Sequence, residues 1–251
     1  MEKFTENNEI AISLKNMSKT FSFNSTQGTL KHKLFNFFKK TENERLEVLN
    51  NINIDIKKGE TIGIIGRNGS GKTTLTKIMA GIYTIDKGTV HTNGTLMLMN
   101  LGVGMSHELT AKQNIYINGS ALGLKIKEID EIFDEIVEFA ELEKFVNTKI
   151  KFFSTGMIQR LSFSIAVNAG AEIIFLDEVF AVGDAVFRKK AIKVFENNWL
   201  KGRTVVMVSH SLANIKKYCN KTIFLKNGNI EFFGDTKTAI KMYEDSNINN
   251  N

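Results

Sequence analysis

Short apolar runs recur along this chain, each bounded by charge, glycine or asparagine. Ile173-Ile174-Phe175-Leu176 and Thr204-Val205-Val206-Met207-Val208 are apolar at nearly every position. Such runs predict strands covered on both faces, as in a parallel sheet. Glu60–Ile65 is a third short β-rich run. Ile10-Ala11-Ile12-Ser13-Leu14 also predicts a strand. Leu46, Val48, Ile52, Ile54 and Ile56 alternate with polar residues, the period of a half-buried strand. Gly88–Met99 resumes β character, and Asn93-Gly94 within it predicts a hairpin turn. Asn227-Gly228, between Thr222–Lys226 and Asn229–Phe233, predicts another.

Elsewhere the period lengthens. Thr74–Ala80 reads as a helix ending at Gly81. From Thr110 onward the pattern is helical. Ile126, Ile129, Ile132, Phe133, Ile136 and Val137 make an apolar stripe, and six acids between Glu128 and Glu138 fill the solvated face. Ser154 is placed to cap a helix that includes Ile158–Asn168, and Asp235 to cap a last helix to about Glu244. Residues 106–168 thus form a candidate all-helical subdomain. Asp245–Asn251 reads as a disordered polar tail.

An insertion at about 24–45 interrupts the strand pattern. Within it Leu30, Leu34, Phe37 and Phe38 share one helical face, ringed by Lys31, Lys33, Lys39 and Lys40. A basic amphipathic helix of this kind suits a lipid surface or a partner; it equally suits a helix covering the domain's own core.

Composition narrows the class. Of 251 residues, 42% are hydrophobic and 24% charged, ordinary for a globular protein with a core. No apolar run approaches the roughly 18 residues of a membrane span, and Met1–Ile10 has no signal-peptide core. The single cysteine, Cys219, cannot form an internal disulfide and is expected to be a small buried residue. The net charge of +6 permits an anionic partner without requiring one.

The sharpest chemistry is Gly66-Arg67-Asn68-Gly69-Ser70-Gly71-Lys72-Thr73, which satisfies G-x-x-x-x-G-K-[S/T] at every fixed position. Its context is a strand before and a helix after. Glycines at 66, 69 and 71 let successive amides point inward. The helix start adds unpaired donors and a positive dipole end. Lys72 can reach terminal phosphates, and the Thr73 hydroxyl can ligate Mg2+.

A buried-type strand ends in Asp177-Glu178, where ligand chemistry gathers in open α/β sheets. Asp177 is placed to hold Mg2+ and Glu178 to activate a water. Another such strand closes on Ser209-His210, where a histidine can bond a γ-phosphate. Phe21 and Phe23 alternate with polar residues, so either ring can stack on a purine or pack in the core.

Taken together, these motifs resemble the nucleotide-binding subunit of an ATP-binding cassette (ABC) transporter over about residues 10–244. Phe153-Ser154-Thr155-Gly156-Met157 is similar to the family signature. Asp177-Glu178, Ala181-Val182-Gly183-Asp184 and His210 follow in the family's order. The resemblance implies a P-loop NTPase of ABC type: an α/β fold, with a mostly parallel core sheet, an antiparallel β subdomain and an inserted α-helical subdomain. It implies one domain over 1–244 and a polar tail at 245–251. Within the family the chain resembles exporters of lipid-linked polysaccharides (O-antigen, capsule, teichoic acid). The reasons are Ser154-Thr155-Gly156-Met157, the loop Leu101-Gly102-Val103-Gly104 with His107-Glu108-Leu109-Thr110, and the insertion before Leu46.

The resemblance implies a set of roles. Phe21 would stack on adenine. Gly66, Arg67, Asn68, Gly69, Ser70, Gly71, Lys72, Thr73 and Thr74 would bind phosphates and Mg2+. Ser154 and Gly156 would contact the γ-phosphate held by a second copy. Glu178 would be the general base, Asp177 a Mg2+ ligand, His210 a γ-phosphate sensor, and Asp184 a dimer contact. Many cassettes carry a glutamine before the helical subdomain; here Asn100 or Leu101 stands in that region and Gln113 comes too late. The Leu101–Gly104 loop is expected to take over part of that link. The implied partners are a second copy and a separate transmembrane permease carrying a lipid-linked glycan, with this chain peripheral at the cytoplasmic face of the membrane. The expected activity is ATP hydrolysis coupled to transport. Other readings are a soluble cassette ATPase on nucleic acid or ribosomes, a transporter ATPase for another cargo, or a regulator without hydrolysis. The basic residues form no long stripe, so no nucleic acid is expected.

Overall fold

The computed structural model describes residues 9–23, 44–100, 102–177 and 183–248. Most of the basic insertion, Leu101, Glu178 and Ala181-Val182 lie outside them.

Two sheets carry the fold. The smaller is antiparallel, order β2-β1-β4, from β1 (Ile10–Phe23), β2 (Glu44–Lys57) and β4 (Lys87–Thr92). The larger has the order β5-β6-β7-β3-β8-β9. Its strands are β3 (Thr61–Ile65), β5 (Leu96–Met99), β6 (Ile173–Asp177), β7 (Thr204–Val208), β8 (Lys221–Lys226) and β9 (Asn229–Asp235). The first five in spatial order are parallel; β9 runs back along β8 as a hairpin through Asn227-Gly228, as the sequence predicts.

The uniformly apolar runs have their expected cause. Ile174, Leu176, Val205 and Met207 belong to one core cluster and Ile173, Phe175, Val206 and Val208 to another. Alternate side chains leave opposite faces of a strand, so both faces of the sheet are buried. One face meets helix α1 (Lys72–Met79) and the antiparallel sheet. The other meets α4 (Thr155–Asn168), α5 (Ala185–Val194), α6 (Leu212–Tyr218) and α7 (Thr236–Ile248). A third cluster joins α4 to α2 (Ala111–Ala121) and α3 (Ile126–Ala140), where Ile129 and Ile136 are fully buried and the acids face outward.

Two expectations are corrected. Asn93-Gly94 is no hairpin: β4 pairs with β1 in one sheet while β5 pairs with β6 in the other. The segment is a crossover, held by the Asn93 amide on the Ala11 carbonyl (2.8 Å) and by Gly94 against the Glu172 carboxylate. A Cβ at Gly94 would stand 2.6 Å from Glu172 Oε2, so the glycine permits close approach rather than a tight turn. The last helix runs to Ile248, into the stretch read as disordered, because Tyr243 packs edge-on against Phe224 at 5.6 Å and anchors it. The Asp235 carboxylate caps this helix by accepting the Thr238 amide.

Candidate nucleotide site

Three adjacent parallel strands bring the phosphate loop, Asp177 and His210 to one edge of the sheet. Val208 of β7 is in register with Asp177 of β6 on one side and Ile64 of β3 on the other. At about 4.8 Å between strands, Asp177 and Ile64 are about 10 Å apart across β7. Gly66 follows β3 by one residue and His210 follows β7 by two, so all three segments emerge together. Asn100 joins them from β5, where Met99 pairs with Leu176. Asp177 and His210 are exposed at this edge.

The loop's shape depends on its glycines. Gly66 and Gly71 take φ of 157° and 103°. A Cβ on Gly66 would lie 2.2 Å from the Leu225 carbonyl oxygen; on Gly71 it would lie 2.8 Å from a Leu49 methyl and 3.0 Å from the Val48 carbonyl oxygen. The loop is therefore pressed between β8 and β2. Gly69, with φ of 79°, faces open space.

Lys72 is buried, and its Nζ donates to the carbonyls of Gly66 (2.8 Å) and Arg67 (3.0 Å). The ammonium thus closes the loop on itself. The Ser70 hydroxyl is buried and has no hydrogen-bond partner among the described residues. Helix α1 starts from left-handed Gly71, and its ladder opens with the Leu75 amide on the Gly71 carbonyl (2.8 Å). The amides of residues 72–74 stand ahead of that ladder, and no acid occupies the first turn. An orphaned hydroxyl, a held cation and an acid-free helix start fit a polyphosphate. Thr73 and Asp177, both exposed, supply hard oxygens of the kind Mg2+ takes. Arg67 and Asn68 are exposed on the loop, and Thr74 is half-buried.

Phe21 lies near the end of β1, paired with Leu46, two residues before the Val48 that crowds Gly71. Its half-buried ring meets Tyr83 edge-on at 5.7 Å, and Lys19 Nζ lies 5.3 Å from its centroid.

Ser154 is the N-cap of α4, its Oγ accepting the Met157 amide at 3.2 Å. Among the described residues no hydrogen bond joins Ser154 or Gly156 to the phosphate loop. Gly156 instead faces Gly183: a Cβ there would lie 3.9 Å from the Gly183 Cα. The Asp184 carboxylate caps α5, accepting the amides of Val186 and Phe187 at 2.9 Å. The Phe187 amide foremost, with Val186 and the Arg160 charge, holds its carboxyl below the usual aspartate value.

Two positioning side chains stand out only in the structure. Gln159 Oε1 accepts the Gly183 amide at 3.1 Å. Asn114 is fully buried in α2 and bonds both the amide and the carbonyl of Ser106, at 2.8 and 3.0 Å, fixing the end of the Gly102–Gly104 loop. An amide side chain inside an otherwise packed helix was the available signal for each.

A profile described as ABC transporter matches residues 49–181. The teichoic acids export ATP-binding protein TagH of Bacillus anthracis is 36% identical over 226 residues, which cover 86% of this chain and 41% of that protein. The O-antigen export system ATP-binding protein RfbB of Klebsiella pneumoniae is 36% identical over 197 residues, 78% of this chain and 80% of that protein. The chain spans 41%, 52% and 39% of the length of three TagH proteins it matches. Two solved structures share the fold. The ATP-binding subunit of an ABC transporter superposes with a TM-score of 0.72 at 20% identity, over 93% of each chain. A dimeric ATP-binding cassette bound to ADP and Pi does so at 0.69 and 24%, over 90% of this chain and 98% of that one.

Proposed function

The chain belongs to the ABC transporter family of ATP-binding proteins, and on that premise we propose that it binds and hydrolyses ATP as the motor of a polysaccharide exporter. The supporting observation is the shared register of Asp177 and Ile64 on Val208, which gathers the phosphate loop, Asp177 and His210 at one edge.

Lys72, Ser70 and the loop amides hold the triphosphate. Thr73 and Asp177 hold Mg2+, which when bound offsets charge on the phosphate oxygens. Phe21 receives the adenine ring. Glu178, next after Asp177, orients a water in line with the γ-phosphate and accepts its proton, while His210 bonds the γ-phosphate. Charge stabilisation by these preorganised donors carries the reaction. Ser154 and Gly156 complete the γ-phosphate site of a second copy, so hydrolysis requires two chains. The unit is one cassette over residues 1–244, with a helical subdomain at about 106–168.

The relatives' names supply the cargo class, teichoic acid or O-antigen, taken here as a lipid-linked glycan. No helix among the described residues is long and apolar enough to cross a membrane. The export names of the relatives support a separate permease as the path, with this chain against it at the cytoplasmic face. Phosphate release measured with ATP and Mg2+ tests the reading. Wild type turns over and Glu178→Gln binds ATP with at least about 100-fold less turnover; near-normal turnover in that variant removes Glu178 from its role.

A further inference from the structure

The loop that leaves α1 returns at once to β1 and grips it beside Phe21. Helix α1 ends at Met79, and Gly81 follows in the left-handed region, with φ of 73°. The amides of Ile82 and Tyr83 then turn back on the Lys77 carbonyl, at 2.8 and 3.2 Å. Lys77 Nζ also donates to the Tyr83 hydroxyl at 3.3 Å. Tyr83 is thus tied to α1 through main chain and side chain alike, and its half-buried ring meets Phe21 edge-on at 5.7 Å. Three residues on, Asp86 takes over where the strand ladder stops. The pairing of β1 with β4 ends at Ser18 and Lys87. The Asp86 amide donates to the Ser18 carbonyl at 3.1 Å, and its carboxylate accepts the Thr20 amide at 2.6 Å and Lys19 Nζ at 3.3 Å. One residue therefore holds Ser18, Lys19 and Thr20, the three that lead into Phe21. It also fixes the Lys19 ammonium, 5.3 Å from the centre of the Phe21 ring. That ring is half-buried, so part of it stays open to a base.

These contacts form one strut. Helix α1 starts at Lys72 in the phosphate loop, runs about 12 Å over its length at 1.5 Å per residue, and passes into the segment from Tyr83 to Asp86 that ends on Phe21. The strand alone fixes the ring less well, because the register of β1 on β2 shifts between Lys19 and Thr20. A ring that had to be ordered at the moment of binding would give up part of the stacking energy as side-chain entropy. We infer that Tyr83 and Asp86 are positioning residues for the base: they hold the Phe21 ring in place relative to the phosphate loop, so that the two ends of one ATP meet a single preformed frame. This rests on the reading of Phe21 as the adenine platform. Both residues act through Phe21 and take no part in the hydrolysis itself.

The test uses the full chain. It reads the affinity for a non-hydrolysable ATP analogue with Mg2+, and kcat and KM for ATP. Tyr83→Leu removes the bracing ring and Tyr83→Phe keeps it. Tyr83→Leu weakens binding about five-fold, the size of one aromatic pair, and raises KM in step while kcat holds. Tyr83→Phe stays at the wild-type values. Asp86→Ala, at an exposed position, acts as Tyr83→Leu does and decides alone if Tyr83→Leu does not fold. Phe21→Ala weakens binding about ten-fold or more, as for a lost base–aromatic stack. In that background Tyr83→Leu costs nothing further, because its effect passes through the missing ring. Wild-type affinity in Tyr83→Leu and Asp86→Ala, or an equal loss with and without Phe21, overturns the inference and leaves the role of Phe21 standing. Wild-type affinity in Phe21→Ala removes that role and the inference with it, and leaves the phosphate site as described.

Discussion

The amide of Gly228 lies 3.1 Å from the carbonyl oxygen of Ser70 and donates to it. The Gly228 carbonyl in turn accepts the Asn50 amide at 2.9 Å. One turn residue therefore ties the phosphate loop to the antiparallel sheet. Gly228 has φ of 77°, and a Cβ there would meet the Val48 carbonyl oxygen at 2.5 Å. Gly228→Ala is expected to destabilise the fold by about 2–4 kcal/mol, combining left-handed strain with a backbone clash. ATP affinity should fall in parallel. Thermal unfolding and equilibrium binding check both.

Lys72 serves two masters. Its ammonium holds the Gly66 and Arg67 carbonyls in this structure, and a polyphosphate would compete for the same donors. Lys72→Ala should weaken ATP binding about 100-fold through loss of charge-assisted bonds. Lys72→Arg should not restore it, because the broader guanidinium does not fit a site where the lysine is only 8% exposed. Titration with a fluorescent ATP analogue separates the two.

Ser154 separates local from distant effects. As the cap of α4 it holds the Met157 amide, so Ser154→Ala should lower stability by about 1 kcal/mol. If it also completes a second copy's site, turnover should fall by far more than this stability loss explains. Ser154→Asp keeps a capping oxygen but presents negative charge to phosphate. It should restore stability and not turnover, as read by parallel melting and phosphate-release curves.

Much of this was legible locally. Ile173–Leu176 and Thr204–Val208 announced buried strands because alternate side chains enter two separate cores. The conformation of the Gly66–Thr73 loop was legible because its backbone needs glycine at positions 66 and 71. Asn93-Gly94 misled because a turn dipeptide carries no record of which sheet receives the next strand; that is decided by the distant partners Leu14 and Leu176. Helix α5 and the π-helical turn that follows it, Phe195–Trp199, are not read from the sequence although Phe187, Ala191, Phe195 and Trp199 recur every four residues, all nearly fully buried. Gln159 was visible as a residue but not as a contact, since Gly183 reaches it across 24 positions of chain.

Cys219 offers a test of the core. Burial pushes its thiol up to about 12. The unfolded thiol ionises near 8.5, so above that pH the unfolded chain releases a proton that the native state retains. Stability should therefore fall as pH rises from about 8.5 toward 12, by roughly 1.4 kcal/mol per pH unit from this group. Cys219→Ala should flatten that slope. Iodoacetamide at pH 9 should label the denatured protein and spare the native one.

The central claim is that one chain holds a nucleotide and a second copy completes its site. Light scattering of Glu178→Gln, with and without ATP and Mg2+, tests it most directly. The account predicts a monomer that becomes a dimer when ATP is added and reverts when it is removed. A protein that binds ATP yet keeps the monomer's mass at every concentration would contradict it.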